Sequence, residues 1–316
     1  MARELKIKLA DPAGLVVEGS ALLCPNPTEF YSKAYISSDV ADNYRTLPGI
    51  KSATKIANVA FNDLLKASTC SFTADDSLLG AIDIDVCPVS AMAQICRFDL
   101  EQSFLSTQMA KGSNGSFEVP AFMAYYWDEM AKEIGAEVEL LRWQGNKDGA
   151  TGTFLDLCDG YEKNLFANED VIGLSAQTIT SSNVLAEMIS AVQALPGVLK
   201  AKRSDLRIYV SPNVALAYEI AAAQGNTAAY ITQTLGLSFL GIKVVVAEGM
   251  SNDTIVVTNK MNLIYAFDGE GDDKALKAVN LEDSVAEPLL RTRANLKVGF
   301  HFVNPTEIVF YSPLYN

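Results

Sequence analysis

A mixed α+β protein of two lobes is predicted by three features of this chain: one long amphipathic helix, alternating helices and short β-rich runs after Gly160, and a period-2 alternation near the end. The helix spans Phe122 to Leu141, where Met123, Trp127, Met130, Ile134, Val138 and Leu141 recur every three or four residues as one apolar stripe. Pro120 stands where a helix start tolerates it, and Gly145 stands where a left-handed C-terminal cap is expected. At about 1.5 Å per residue this helix is roughly 30 Å long, enough to back a domain. Near the end, Leu296, Val298, Phe300 and Phe302 alternate with Asn295, Lys297, Gly299 and His301, the pattern of a strand with one buried face. Asn304-Pro305 ends that strand, and Ile308 to Tyr311 is expected to return beside it as a terminal hairpin, against which the helix buries Trp127, Met130 and Ile134.

The other elements follow in chain order. Residues 1–50 hold Pro12, Pro25, Pro27 and Pro48 with little periodicity and read as an extended arm whose burial comes from other chains. Between 51 and 85, an amphipathic stretch (Ile56, Val59, Ala60, Leu64, Leu65), a polar tip and the alternating run Ala81-Ile-Asp-Ile-Asp-Val-Cys87 suggest a long hairpin. Val184, Leu185, Met188, Ile189, Val192 and Leu195 mark a helix ended by Pro196-Gly197. Leu206 to Val210 is a strand, after which Ser211-Pro212 supplies an N-cap and a first-turn proline for a helix from Asn213 to Gln224, closed by Gly225. Ile242 to Ala247, Thr254 to Val257 and Leu263 to Phe267 are short strands. This lobe is inserted between the long helix and the terminal hairpin, so the first lobe is discontinuous in sequence. A chain of 316 residues has room for both.

Charge and cysteine usage narrow the function. With 25 basic against 38 acidic residues the net charge is −13, which argues against tight nonspecific binding to phosphates. Lys200, Lys202 and Arg203 are the best local basic cluster, a solvated turn being the other reading. No run approaches the roughly 20 consecutive apolar residues of a membrane span, and Met1-Ala-Arg-Glu-Leu-Lys-Ile-Lys has no apolar signal core, so a soluble, non-exported protein is expected. Cys24, Cys70, Cys87, Cys96 and Cys158 form no C-x-x-C pair and are read as free thiols in a reducing compartment. With a single histidine, no zinc site is expected.

Catalytic patterns are near misses. Asp268-Gly-Glu-Gly-Asp-Asp273 has Asp273 where a calcium loop needs glycine and Val279 where it needs glutamate, so it reads as a solvated acidic turn. Gly173-Leu-Ser175 lacks the second glycine of a nucleophile elbow, and Gly112-Ser-Asn-Gly115 lacks the lysine of a phosphate loop. His301, on the polar side of its strand, would have to serve any histidine-dependent scheme alone and reads as a surface or interface residue. Asp83 with Asp85, and Asp156 with Asp159, are carboxylate pairs; the first, on one face of a strand, is a geometry a glycosidase could use and also what the wet side of any exposed strand looks like. Arg291 and Arg293, with Glu282, Asp283 and Glu287 before them, form a charge cluster that is either a solvated turn or an inter-subunit contact. No cofactor is expected, and the chain reads as a building block instead of an enzyme.

The order of parts resembles the major capsid proteins of tailed bacteriophages, the fold known from phage Hong Kong 97. The matching stretches are Cys96-Arg-Phe-Asp-Leu-Glu-Gln-Ser-Phe104, Leu140-Leu-Arg-Trp-Gln-Gly145, Arg207-Ile-Tyr-Val-Ser-Pro-Asn213, Phe239-Leu-Gly-Ile-Lys-Val-Val245 and Arg291 to Tyr311, in that order across residues 86–316. The resemblance implies an N-terminal arm (1–50), an extended E-loop hairpin (51–85), a peripheral domain with a spine helix (86–165 and 286–316) and an axial domain (166–285). It further implies a structural protein that assembles with itself, as hexamers and pentamers, into an icosahedral shell enclosing double-stranded DNA in a virion put together in the host cytoplasm. Scaffolding, portal and decoration proteins are the implied partners, and no membrane is involved. No N-terminal delta segment is recognisable, which implies a separate scaffolding protein. Some members crosslink a lysine to an asparagine; Lys51, Lys55, Lys66 and Asn304 have the residue types, with no motif to fix them. A nanocompartment shell of the encapsulin kind and an acidic α+β hydrolase using the aspartates are the alternative readings.

Overall fold

The computed structural model describes residues 24, 30–31, 38–60, 78–96, 120–224, 237–268, 276–281 and 286–315. The described chain enters through a short helix α1 (Ser38–Asn43) and strand β1 (Arg45–Pro48), makes an antiparallel pair β2 (Thr54–Ala60) and β3 (Leu78–Ile84), and continues into β4 (Cys87–Cys96). After α2 (Pro120–Gln144) and the short α3 (Tyr161–Phe166), it builds a second sheet. The first sheet is organised by one long strand, β12 (Leu289–Phe302), whose alternation holds: Leu290, Thr292, Ala294, Leu296, Val298 and Phe300 are buried while Arg291 and Arg293 are exposed. β4 runs antiparallel along one edge of β12, from Leu289 opposite Cys96 to Val298 opposite Cys87. Along the other edge lie β10 (Leu263–Asp268) and β11 (Leu276–Asn280), end to end, and β1 adds in parallel to β10. Across one face of this sheet lies α2, with Met123, Trp127, Ile134, Val138 and Leu141 buried and Met130 half-buried in the same core as Leu290, Leu296, Val298 and Phe300.

The second sheet has six strands. In order they are β5 (Ile172–Ser175), β13 (Val309–Ser312), β9 (Ile255–Asn259), β6 (Leu206–Val210), β8 (Ile242–Val246) and β7 (Ser238–Phe239). β6 and β8 are parallel, so the chain between them must cross over. The helix that follows β6 after α4 (Val184–Ala194) and α5 (Gly197–Ala201), namely α6 (Pro212–Gln224), lies within that crossover. Its start is as read: the Ser211 carbonyl accepts the first helical bond from Ala215, but the Ser211 hydroxyl donates to Asn213 Oδ1 (2.6 Å) instead of capping the helix. The sheet is buried on both faces. Ile208, Ile255, Val257, Val309 and Tyr311 face a largely aliphatic core shared with α4 and α6, whereas Tyr209, Val256 and Phe310 face the core under α2. Continuous apolar strands such as Leu-Arg-Ile-Tyr-Val are what two covered faces require.

Five expectations are corrected. No terminal hairpin forms: Val309 to Ser312 pairs with β5 and β9, so the last two strands belong to different sheets and α2 packs on β12 with β10, β11 and β4. Residues read as an arm, at least Phe30, Tyr31, Val40 and Tyr44, are buried in the chain's own core, and the Tyr31 hydroxyl donates to the Asn295 carbonyl at 2.8 Å. Gly145 is not left-handed; a side chain there would sit 2.3 Å from the Cys158 carbonyl, so glycine serves the close passage of two backbones. On α4 the buried set is Val184, Met188 and Ala191, while Leu185 and Ile189 remain exposed, because the core lies on one side only. Finally, Cys87 and Cys158 are joined by a disulfide across a sequence separation of 71, a pairing that no spacing in the sequence announces; Cys24 and Cys96 are free.

Candidate assembly surfaces and the buried junction

The outward face of the first sheet divides in two. Its β1/β10 end is covered where the root of the β2–β3 pair packs: Ile84 and Val86 lie with Ile264 and Ala266 in a small apolar cluster flanked by Leu47, Ile50 and Ile56. The covering chain comes very close. A side chain at Gly299 would lie 2.2 Å from the Asp85 carbonyl oxygen, so only glycine admits that approach. His301 Nε2 lies 3.0 Å from the Asp85 amide and 2.8 Å from its carbonyl, so either tautomer holds the same backbone. His301 is therefore a clamp on the hairpin root, a role its place on the polar side of a strand did not reveal.

The other end of that face is open. Arg291 and Arg293 stand there with Met92 (71% exposed) and Gln94 from β4 and Lys277 and Val279 from β11 as cross-strand neighbours. Arg291 Nε donates to Gln94 Oε1 (2.9 Å), and Arg293 donates to Asn295 Oδ1 (2.7 Å) and Ser90 Oγ (3.2 Å). Neither is ion-paired among the described residues, and both lie on strand β12. Glu282 and Asp283 lie outside the described residues. β4, β11 and β12 contain no aspartate or glutamate but carry Lys277, Arg291, Arg293 and Lys297, in a chain of net charge −13. Opposite, the exposed side of α2 carries Asp128, Glu129 and Glu133. Lys132 stands among them and pairs with Glu129 at 2.6 Å, so among the described residues the outward sheet end is cationic and the α2 side is mixed with an acidic excess.

The predicted carboxylate pairs are dispersed. Asp83 lies directly across from Lys55 and pairs with it at 3.2 Å, with both side chains about 70% exposed, so the pair contributes little. Asp85 lies beyond the end of β3, its carboxylate accepting from the Val86 amide at 2.9 Å. Asp156 accepts from Thr151 Oγ1 (2.8 Å) and the Gly152 amide (2.7 Å); Asp159 accepts from the Lys147 amide (2.7 Å) and pairs with Lys163 (2.8 Å). Burial tends to raise Asp159, but Lys163 and the Lys147 amide hold it below its ordinary value. These groups fasten the loop after α2. The Gly173-Leu-Ser175 segment is strand β5, where Gly173 gives room to the Tyr315 ring. Gly112 to Gly115 and residues 269–275 lie outside the described residues. Of the basic turn, Lys200 Nζ donates to the Gln193 carbonyl (2.6 Å) and Arg203 to the Leu240 carbonyl (3.3 Å), beside an apolar groove of about 200 Å³ lined by Ile189, Val192, Leu206, Leu240 and Ile242. Of the crosslinking candidates, Lys55 is engaged with Asp83, Lys66 is outside the described residues, and the Asn304 backbone N–H donates to Asn262 Oδ1 at 2.7 Å.

Where the two sheets meet, the sequence hid a charge. Arg142, near the end of α2, is 2% exposed and pairs with Glu139 one turn earlier. Its guanidinium lies 4.6 Å from the ring centre of Tyr265 on β10 and 5.1 Å from that of Tyr44. Tyr44 stacks on Tyr161 and leans on Tyr209 of β6, whose hydroxyl donates to the Asn43 carbonyl. Burial works against the charge of Arg142, but Glu139 and the surrounding tyrosines leave it more firmly protonated than usual. Burial likewise pushes the Tyr265 hydroxyl up to about 12. Glu162 is a second inward charge, accepting from the Ser251 amide (2.7 Å) and hydroxyl (2.6 Å), and burial raises its pKa.

Comparison with known proteins gives structural likeness alone. No family model matches, and no curated protein matches by sequence. A chain of the satellite phage P4 procapsid with its size-determination protein aligns at TM-score 0.58 and 12% identity over 90% of this chain and 96% of that one. A chain from Gordonia phage Cozz aligns at TM-score 0.55 and 11% identity over 98% and 99%. The virus-like particle from Pyrococcus furiosus aligns at 0.53 and 9% identity over 94% and 100%. The fold is thus the Hong Kong 97-like capsid fold whose order of parts the sequence resembles. No helix of the described residues is long and apolar enough to cross a membrane, and no cluster among them has the makings of a metal site.

Proposed function

We propose that the chain is the major capsid protein of a tailed bacteriophage, assembling with itself into an icosahedral shell around double-stranded DNA. The observation that carries this reading is end-to-end structural likeness to capsid chains, including the capsid of a native GTA particle aligned over 96% of this chain and 99% of that one at TM-score 0.55. The unlike faces of the first lobe and the exposed Leu185, Ile189, Val198 and Leu240 of the second are what a protein with several neighbours would present. In this reading, residues 51–85 are the extended loop, the first sheet with α2 is the peripheral unit, the second sheet is the axial unit, and the axial units meet in hexamers and pentamers. Arg291 and Arg293 contact acidic groups of neighbouring subunits, Glu282 and Asp283 being candidates. Scaffolding, portal and decoration proteins are the partners, assembly takes place in the host cytoplasm, and the protein has no catalytic role. Repetition of contacts of a few kcal/mol each, on the order given by multivalent association, makes such a shell stable.

Sedimentation velocity of the purified chain should show very large closed particles, and Arg291→Glu with Arg293→Glu should shift it to small species without loss of helix content. Unchanged large particles would remove these arginines from the interface. Free subunits should bind duplex DNA weakly with shallow salt dependence; tight binding that falls steeply with salt would contradict retention by enclosure. The likeness to the Pyrococcus furiosus virus-like particle keeps a second reading, a shell around protein cargo, whose mark would be particles containing protein and no nucleic acid.

A further inference from the structure

The Cys87–Cys158 disulfide joins two unequal positions. Cys87 opens the edge strand β4 and is half-buried, whereas Cys158 is 3% exposed beneath it. Each is placed without help from the bond: Cys87 by pairing opposite Val298, Cys158 by the backbone passage at Gly145, where the Gly160 amide donates to the Gly145 carbonyl at 2.8 Å. Two thiols at these sites would already face each other, with Cα atoms 5.8 Å apart. The bond lies two residues beyond the clamped Asp85 and ties β4 of the sheet layer to the loop that follows α2. Sheet and helix layers are thereby stapled at the root of the β2–β3 pair.

We propose that Cys87–Cys158 is a thiol–disulfide exchange site, at which a small soluble disulfide of the glutathione type closes the staple and a small thiol opens it, with Cys87 the sulfur that meets the small molecule in both directions. On closing, the Cys87 thiol loses its proton and its thiolate attacks one sulfur of the small disulfide, forming a mixed disulfide and expelling one small thiolate. The Cys158 thiolate then attacks Cys87 Sγ, forming the protein disulfide and expelling the second. The cysteine pair loses two electrons, the small disulfide gains them, and the two protons released end on the two small thiols. Opening is the reverse, beginning with attack of a small thiolate on Cys87 Sγ and release of Cys158 as the leaving thiolate. The buried position of Cys158 gives it the resolving role. The inference does not depend on the shell reading.

The test uses the full-length chain, reduced and then treated with oxidised glutathione, followed by peptide mass mapping. Cys158→Ala should trap glutathione on Cys87, and Cys87→Ala should leave Cys158 unmodified. Wild type should end with the two peptides crosslinked, and samples quenched early should carry glutathione on Cys87 and never on Cys158. Glutathione on Cys158 in folded Cys87→Ala at a rate equal to that of Cys87 in Cys158→Ala, or a wild-type protein that stays a dithiol, would overturn the proposal. Should a variant fail to fold, the early wild-type samples decide alone. Reductant should lower the melting temperature of wild type and not that of the double variant Cys87→Ala/Cys158→Ala; equal behaviour would refute the staple.

Discussion

The two faces of the second sheet look onto cores assembled in different ways. The core under α4 and α6 is mostly Val, Ile, Leu and Ala, drawn from residues 176–257 with Val309 and Tyr311 added at the end. The core under α2 is rich in aromatic side chains, encloses the Arg142–Glu139 pair, and gathers Phe30, Tyr44, Trp127, Tyr161, Tyr209, Tyr265, Phe300 and Phe310 from the length of the chain. The first can form by local collapse, the second only when distant segments have been brought together. Contacts of long sequence separation close late and depend on one another.

The largest test of that contrast is deletion of residues 1–50, which removes Phe30, Tyr31, Tyr44 and strand β1. Loss of folded protein is expected, because these are core residues of the dispersed core; a soluble remainder with a cooperative melt would show them to be an appendage. Next, Trp127→Ala should cost about 3–5 kcal/mol and Met188→Ala, in the aliphatic core, about 2–4 kcal/mol. If denaturant titration ranks them the other way, the dispersed core is not the more demanding one. Third, Glu139→Gln leaves a guanidinium charge uncompensated in a buried site and should cost about 3–5 kcal/mol, whereas Arg142→Met, which leaves the more exposed Glu139 to water, should cost less. Equal losses would mean that the pair acts through packing alone.

The smallest effect concerns pH. Burial raises Glu162 above its ordinary 4.5, so the folded chain holds this proton more tightly than the unfolded chain does. Its contribution to stability is then full below that value and is lost as pH rises through the higher folded value. Melting temperatures between about pH 4 and 8 should show this loss in wild type and a flatter profile in Glu162→Gln. Parallel profiles would mean that the two Ser251 hydrogen bonds cancel the cost of burial.

Legibility in the sequence follows the same division. Strands from 206 to 210 and 242 to 246, the helix beginning at Pro212 and the face of α2 were all readable, because each is specified by its own residues. What failed was pairing. The alternation of 296–302 identifies a strand with one buried face but cannot say that Val309 to Ser312 joins another sheet. Arg142 and Glu139, three residues apart on a helix, look like a surface pair until Tyr44 and Tyr265 close over them. The clamp of His301 on Asp85 and the bond between Cys87 and Cys158 join positions far apart in sequence, brought into reach by the ladder between β4 and β12 and, for Cys158, by the backbone passage at Gly145. Glycine beside the lone histidine, at Gly299, was the one local hint that another backbone passes there.

Negative-stain electron microscopy of the purified full-length chain tests the central claim most directly. The account predicts closed, angular shells of uniform diameter that disperse when Arg291 and Arg293 are both reversed in charge. A field of small, separate particles under every condition that supports folded protein, co-expression with a scaffolding protein included, would contradict it.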